Sequence, residues 1–239
     1  MYLLRCENSV LLDLMVALTH IPTRQSPDET PQWVPATWAD YVAACEAAEA
    51  QAVDYFRVYF NQRYLFVDMG WEGVSHSQCR ELLTMIFTVW FIRQPDILFD
   101  ALGGCIIEKP EQRGASPDEV LYLGAGSPRW NPGEYRRINL RQWRVPNLVC
   151  EVGDTTLASD LDEKKEIYAA LEIPEYWVID VKGLRVIAFL LRSDGRYQQC
   201  EVSQALSGLK ISLLEKTFAR LADGTNGSAA QWFAQQISS

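Results

Sequence analysis

Two acidic residues stand beside predicted β-strands, where they could hold a metal ion. Asp118 precedes the apolar run 120–123, and Glu151 lies near the end of the apolar run 148–152. Two convergent carboxylates are the minimum set of oxygen ligands for Mg²⁺, with water in the remaining positions. These residue types therefore suit metal-dependent hydrolysis of a phosphodiester. Spacing alone is a weak signal, because the chain carries 31 Asp and Glu residues.

Such chemistry also uses an ammonium group, which orients the attacking water or stabilises charge on a phosphate. The helix predicted after Glu151 has an apolar face, and Lys164 lies in the middle of it. A lysine in that position costs solvation free energy unless it has a carboxylate or phosphate partner, and Glu151 is one candidate. The alternative is a snorkelling lysine, whose stem packs while its ammonium reaches water.

The elements that must position these groups form a strand–helix–strand unit. Asp160 is expected to cap the helix, with Glu163 three residues on as in a capping box, and Pro174 prevents its continuation. The second strand is predicted over residues 176–179. Elsewhere the pattern predicts a helix over 38–50, hairpins over 56–69 and 184–202, and a central packing helix from 76 or 77 to 93.

Length and composition indicate one domain with appendages. The chain has 239 residues, of which 48% are hydrophobic, enough for a substantial core. We predict an N-terminal arm over 1–36, partly mobile, a main domain over 37–222, and a C-terminal linker with a short helix over 223–239. No run approaches the ~20 apolar residues of a membrane span, and the first residues make a poor signal peptide.

The cysteine pattern bears on compartment, and the charge bears on partners. Six scattered cysteines without a CxxC pair predict free thiols in a reducing, cytoplasmic setting, and two histidines argue against a structural zinc site. The net charge of −9 is unusual for a protein whose main partner is duplex DNA. One later segment is rich in arginine, with Arg129, Arg136, Arg137, Arg141 and Arg144. It is interpreted either as a local basic patch or as a solvated loop.

Several motifs, taken together and in order, resemble a known nuclease family. Pro117-Asp118, the separated Glu151-Val-Gly and DLDEKKEIYAALEIPEYWVID resemble the PD-(D/E)xK nuclease superfamily. More narrowly, the chain is similar to the restriction endonuclease family abundant in cyanobacterial genomes, long classified as a domain of unknown function. The stretches FRVYFNQRYLFVDM with His76 after it, FDALGG followed by SPDEVLYLG, and VPNLVCEVGDTT fit as well. The resemblance covers about residues 37–220.

This resemblance implies an α/β (α+β) fold, a restriction-endonuclease-like mixed β-sheet flanked by helices on both faces. It also implies a Mg²⁺ site, which Mn²⁺ can share, made by Asp118, Glu151 and the carbonyl of Val152. The superfamily lysine stands two residues after the glutamate, where this chain has Gly153. Members of the family are thought to place it on the following helix, which matches Lys164.

The same resemblance suggests accessory residues around the predicted site. Asp160 and Tyr168 lie one turn on either side of Lys164, although Tyr168 suits a plain core position equally. His76 is expected either to contact substrate or to cap the central helix. Glu72 and Glu81 are candidates for extra metal carboxylates, and solvated surface positions are the alternative for both.

Two functions from different classes follow. The first is a Mg²⁺-dependent endonuclease acting on nucleic acid, with DNA expected, in which Asp118 and Glu151 hold the metal and Lys164 assists. The second is a catalytically inactive interaction protein that keeps the nuclease fold, which the acidic surface favours. In that case hydrophobic edge strands or the Trp232 tail mediate a homodimer, and a homodimer is compatible with the enzyme too.

Overall fold

A computed structural model describes residues 32–50, 56–68 and 72–238 of the chain. Most of the predicted N-terminal arm, residues 1–31, therefore lies outside the described residues. The division of the chain at residues 36 and 222 stays a prediction. In the described part, helices run over Trp38–Ala50 (α1), Val74–Phe91 (α2), Leu157–Leu161 (α3), Glu163–Ala170 (α4), Ile211–Phe218 (α5) and Asn226–Gln236 (α6), and a 3₁₀ turn covers Ala219–Ala222.

The described strands form two sheets of six strands each. A smaller sheet has the order β1-β3-β2-β6-β5-β8, and a central sheet has the order β12-β11-β10-β9-β7-β4. The strands run over Val34–Pro35 (β1), Arg57–Asn61 (β2), Tyr64–Asp68 (β3), Phe99–Gly103 (β4), Ile106–Lys109 (β5), Arg113–Ala115 (β6), Glu119–Leu123 (β7), Arg137–Asn139 (β8), Leu148–Gly153 (β9), Glu175–Asp180 (β10), Arg185–Leu191 (β11) and Tyr197–Cys200 (β12).

Both sheets are mixed, because each contains one parallel pair among antiparallel ones. In the central sheet β9 and β10 run parallel, with Glu151 opposite Val178. All residues of these two strands are buried, which explains why both read as nearly continuous apolar runs. A parallel pair needs a crossover connection, and here it is made by α3 and α4.

Helices cover both faces of the central sheet, as predicted. On one face α2 is the main packing helix, and four of the five residues expected to bury it, Leu82, Leu83, Ile86 and Phe87, are buried. The fifth, Trp90, is partly buried against the same core and lies 6.4 Å, centroid to centroid, from Phe233 of α6. On the other face Ile167 and Leu171 of α4 pack in a core shared with residues of the smaller sheet. The predicted α/β (α+β) class is therefore confirmed.

The predicted capping box on the crossover helix is wrong. The helix begins earlier, at Leu157, and is broken at Asp162, whose φ of −122° and ψ of −91° are not helical. Asp160 lies inside α3 and is fully buried. Its carboxylate turns inward and accepts a hydrogen bond from the Thr156 hydroxyl at 2.9 Å. A local motif was thus overridden by a buried polar contact.

Smaller differences concern element boundaries. The sequence pattern also predicts short strands over 97–99 and 104–107 about a Gly-Gly bend, but the strands run over β4 and β5, because the chain turns at Gly104, whose φ is +68°. It predicts an irregular segment over 124–145, which instead contributes the short strand β8 to the smaller sheet. It predicts a helix over about 215–221, and the helix begins at Ile211.

Two findings concern the cysteines and the hydropathy of the helices. The five cysteines of the described residues are all free thiols, and Cys45, Cys79 and Cys150 are buried. No helix within the described ranges has both the length and the hydropathy that crossing a membrane requires.

A buried carboxylate links the central sheet to the chain that follows it. Glu175 accepts hydrogen bonds from the indole of Trp177 at 2.6 Å and from the backbone N–H groups of Gln204 at 2.9 Å and Ala205 at 2.7 Å. We expect Glu175→Ala to lower the free energy of unfolding by about 1–3 kcal/mol, because the buried Trp177 indole loses its acceptor and an unsatisfied buried donor costs about that much. Urea unfolding measures this, with the exposed Glu201→Ala as control; equal effects would contradict it.

Candidate active site

The register of neighbouring strands brings the two predicted carboxylates together. β7 and β9 are antiparallel, with Glu119 opposite Cys150. The N–H of Asp118 donates to the carbonyl of Cys150 at 3.1 Å, which continues the pairing by one residue and sets Asp118 beside Glu151. Opposed residues of antiparallel strands project to the same face. Both carboxylates are almost fully buried, at 2% and 1% exposure.

Asp118 faces a guanidinium and an imidazole. Its Oδ1 forms an ion pair with the guanidinium of Arg57 and lies 3.1 Å from Nε2 of His76. Its Oδ2 accepts a hydrogen bond from the N–H of Val152 at 2.7 Å. Burial opposes ionisation, but Arg57, His76 and the Val152 N–H outweigh it and lower the pKa of Asp118 below its ordinary value. Asp118 is therefore an anion at neutral pH.

Glu151 is surrounded by proton donors. The Tyr59 hydroxyl lies 3.0 and 3.2 Å from the two carboxylate oxygens and 2.7 Å from the carbonyl of Ser116, and these acceptors compete for its one proton. The Tyr168 hydroxyl donates to Oε1. The ammonium of Lys164 donates to Oε2 at 3.3 Å. Burial raises the pKa of Glu151 to about 8, the nearby Asp118 carboxylate adds to the rise, and Lys164 opposes it. Tyr168 is thus both a core residue and a partner of the site.

Lys164 is a buried ion-pair residue, and the snorkelling alternative is wrong. The residue is 3% exposed. Its Nζ lies 2.7 Å from Oδ1 of Asp160, 3.3 Å from Oε2 of Glu151 and 4.2 Å from the ring centroid of Tyr59. Burial disfavours the charged form, but the two carboxylates outweigh it and raise the pKa of Lys164 well above its ordinary value. The ammonium is held charged beside Glu151.

The packing also explains why no lysine stands two residues after Glu151. A Cβ added at Gly153 would lie 2.8 Å from Oδ2 of Asp160 and 3.3 Å from the backbone of Leu157. A side chain there would collide with the start of the crossover. The helix-borne Lys164 reaches Glu151 from the other side without that collision.

His76 bridges two carboxylates and does not cap the central helix. Its Nδ1 lies 2.7 Å from Oε1 of Glu72, and its Nε2 faces Asp118. The helix is capped at Gly73, without a side-chain hydrogen bond. Burial lowers the pKa of His76, but the two carboxylates raise it by more, so its pKa is raised overall. Of the two helix-associated glutamates, Glu72 borders the site, whereas Glu81 is half-exposed and pairs with Arg80 at 3.1 Å.

These groups line a cleft of about 200 Å³, bounded also by Asp68, Asp154 and the 155–156 backbone region. Sequence reasoning missed Arg57 and Tyr59, which project into the cleft from β2. That strand was interpreted only as half of a hairpin. The available signal was the arginine that opens an otherwise apolar strand, since such a charge needs a buried partner.

The donor set suits a hard cation that keeps part of its water. Mg²⁺ is commonly held by one or two carboxylates together with water and substrate phosphate, and Asp118 and Glu151 supply two such groups on one cleft. Across the described ranges, no group of three or more His, Cys, Asp and Glu side chains is arranged to hold a metal. An ion in this cleft would therefore depend on water or phosphate oxygens for its other ligands.

Comparison with known proteins assigns the chain to a family. The model of the Uma2 family, described as "Putative restriction endonuclease", matches residues 51–222, so the chain belongs to that family. A crystal structure from Anabaena variabilis, described as a putative nuclease belonging to DUF820, aligns over 74% of this chain and 90% of its own, with 14% identity and a TM-score of 0.47. No curated protein matches the chain.

The raised pKa of Glu151 predicts how stability changes with pH. Its value of about 8 in the fold exceeds the ordinary 4.5, so the folded chain binds more protons than the unfolded chain between these values. The free energy of unfolding should therefore fall as pH rises through this window, and Glu151→Gln should fall less steeply. Urea unfolding in chelator at about pH 5 and about pH 8 tests this. The exposed Glu166→Gln should keep the wild-type slope; a Glu151→Gln slope equal to wild type would contradict the assignment.

Proposed function

We propose that this protein is a Mg²⁺-dependent endonuclease that hydrolyses phosphodiester bonds of nucleic acid, with DNA as the expected substrate and Mn²⁺ as a substitute metal. The observation that supports the proposal is the buried pair Asp118 and Glu151, which share one cleft with the buried ammonium of Lys164. Membership of a family described as restriction endonucleases agrees with this chemistry.

In this proposal Asp118 and Glu151 hold the metal, and the Val152 N–H fixes the orientation of Asp118. A bound Mg²⁺ would polarise the phosphate and acidify a coordinated water. The chain contributes a fixed positive charge at Lys164, whose ammonium is anchored by Asp160 and cannot rotate freely to solvent. Such a pre-oriented charge stabilises the negative charge that develops on the scissile phosphate.

Arg57 is the side chain that must release Asp118 when a metal binds. Its guanidinium now pairs with Oδ1 of Asp118 and also donates to the carbonyl of Ser116 at 3.1 Å. A cation that approaches Asp118 competes directly with this guanidinium. Once displaced within the cleft, Arg57 is well suited to bind a phosphate, since its fork of N–H donors matches phosphate oxygens. The imidazole of His76, which Glu72 orients, contacts the same Asp118 carboxylate.

A second function, an inactive protein that keeps the nuclease fold, is favoured by one observation. The oxygens of Asp118 and Glu151 already contact groups of the chain itself, namely Arg57, His76 and the Val152 N–H on one carboxylate and tyrosines with Lys164 on the other. Such a network of internal contacts can stabilise the fold without any catalytic role. A measurement of metal binding distinguishes the two functions.

We expect Asp118→Asn and Glu151→Gln to lower cleavage more than about a hundredfold, since even residues that only support metal ligands contribute about 10–100-fold. Time courses of DNA and RNA cleavage with Mg²⁺ measure this, and Glu166→Gln on the exposed side of α4 serves as control. Calorimetric titration of Mn²⁺ should show binding to wild type and not to Glu151→Gln. Cleavage by either carboxylate variant at the wild-type rate would refute the assignment.

Replacing the competing guanidinium should strengthen metal binding. We expect Arg57→Gln to bind Mn²⁺ several-fold more tightly in calorimetry, and to melt at a lower temperature without metal, because Asp118 loses its ion-pair partner in a buried setting. Arg63→Gln, on the exposed end of the same hairpin, is the matched control and should change neither quantity. An unchanged or weaker Mn²⁺ affinity of Arg57→Gln would rule out the competition.

A further inference from the structure

A second cavity lies apart from the catalytic cleft. It encloses about 610 Å³ between the 128–143 segment and the β4–β5 region, and it shares no lining residue with the cleft. This volume falls in the range of small-molecule and cofactor sites, about 300–1,000 Å³. The proposed reaction assigns it no role.

The cavity presents large aromatic side chains to solvent. Trp130 is 54% exposed and Tyr135 is 60% exposed. A guanidinium lies over each ring, that of Arg136 at 5.7 Å from the Trp130 centroid and that of Arg137 at 4.4 Å from the Tyr135 centroid. The Trp130 indole also donates to the carbonyl of Glu134 at 3.0 Å, which holds the ring in place. The Arg137 guanidinium is buried beneath Tyr135, whereas Trp130 and Arg136 are both exposed. Exposed, fixed aromatic rings of this kind are suited to stacking a further planar group.

The acidic side chains of the cavity are already satisfied by the chain. Glu134 accepts hydrogen bonds from the backbone and side-chain N–H groups of Asn131, both at 3.1 Å. Glu108 accepts from the Tyr41 hydroxyl at 2.9 Å and pairs with Arg137 at 3.3 Å. Within the part of the chain that the structure describes, the guanidinium of Arg136 has no carboxylate partner. The cavity therefore offers an available cation beside flat aromatic rings.

The strand register connects one lining residue of this cavity to the proposed site. Leu102 lines the cavity from β4 and pairs with Val120 of β7, which stands two residues after Asp118. Leu102 thus lies on the strand next to the one that Asp118 precedes. A nucleic-acid strand bound at both places would have to run from the cleft to this residue.

We propose that this cavity binds an unpaired nucleotide of the substrate strand, with its base stacked on the aromatic–guanidinium pairs and its phosphate on Arg136. This inference rests on the proposed nuclease function. An unpaired nucleotide is favoured over duplex because the faces of paired bases are covered by their neighbours, whereas a splayed base exposes a face for stacking. The net charge of −9 gives the chain no general attraction for nucleic acid, so binding must be local.

The test is fluorescence anisotropy of a labelled single-stranded oligonucleotide and of its blunt duplex, in chelator so that nothing is cut and at one fixed salt concentration. We expect wild type to bind the single strand more tightly than the duplex. Trp130→Ala and Arg136→Gln should each weaken single-strand binding about fivefold or more, from the usual contribution of base–aromatic stacking. Trp130→Phe, which keeps an aromatic face, should keep most of the affinity.

The molecule supplies a matched control for this experiment. Arg220 lies 4.0 Å from the ring centroid of Trp232, so the chain carries a second Trp–Arg pair far along the sequence. Trp232→Ala and Arg220→Gln should leave binding unchanged. The proposal is overturned if affinity for the single strand falls equally at both Trp–Arg pairs, or if Trp130→Ala loses no affinity. It is also overturned if wild type does not prefer the single strand to the duplex. Thymidine monophosphate that competes as well as the strand, at equal nucleotide concentration, would identify a site for free nucleotides and overturn it too.

Failure of this inference is distinguishable from failure of the nuclease function. If wild type cleaves nucleic acid and Trp130→Ala binds the single strand as tightly as wild type, only the cavity proposal is refuted. If wild type binds the single strand through Trp130 but does not cleave, only the nuclease function is refuted.

Discussion

The pairing of buried charges is the constraint on which the rest of this structure depends. The acidic side chains Asp118, Glu151 and Asp160 are nearly inaccessible to solvent, and Arg57 and Lys164 from two other elements contact them. Removing Asp118, Arg57 or Lys164 leaves an uncompensated charge in the interior, which costs several kcal/mol. The smaller sheet, the central sheet and the crossover helices must therefore all be in place before the charges are compensated.

The crossover between β9 and β10 supplies two of the residues in this buried network. Because these strands are parallel, the chain must pass over one face of the sheet, and the passing segment carries Asp160 and Lys164 across from Glu151. The helix break at Asp162 separates α3 from α4, and both segments turn a charged side chain inward. Gly153 allows the close approach, since a larger residue would meet the Asp160 carboxylate.

The same network relates folding to the proposed chemistry. Guanidinium, ammonium and hydroxyl groups of the chain contact the two carboxyl groups that the proposed chemistry uses. In the proposed enzyme, Asp118 and Glu151 would hold Mg²⁺, Arg57 would give up Asp118, and Lys164 would keep its second carboxylate, Asp160. A nuclease site and a purely structural network would therefore differ in whether these internal contacts open to a metal.

The mixed sheet and the pairing of Asp118 with Glu151 were implied by the resemblance that the ordered motifs carry, whereas the central helix followed from its own apolar periodicity. Helical spacing also singled out Lys164, since a charge on an apolar face requires a partner. Glu151, the partner proposed from the sequence, does contact Lys164. Only the tertiary structure decided that Asp160 is a second partner rather than a helix cap, and that Arg57 and Tyr59 complete the site. Those contacts join residues distant in sequence, as Arg57 and Asp118 show, and no local pattern encodes which buried charge a remote strand will meet.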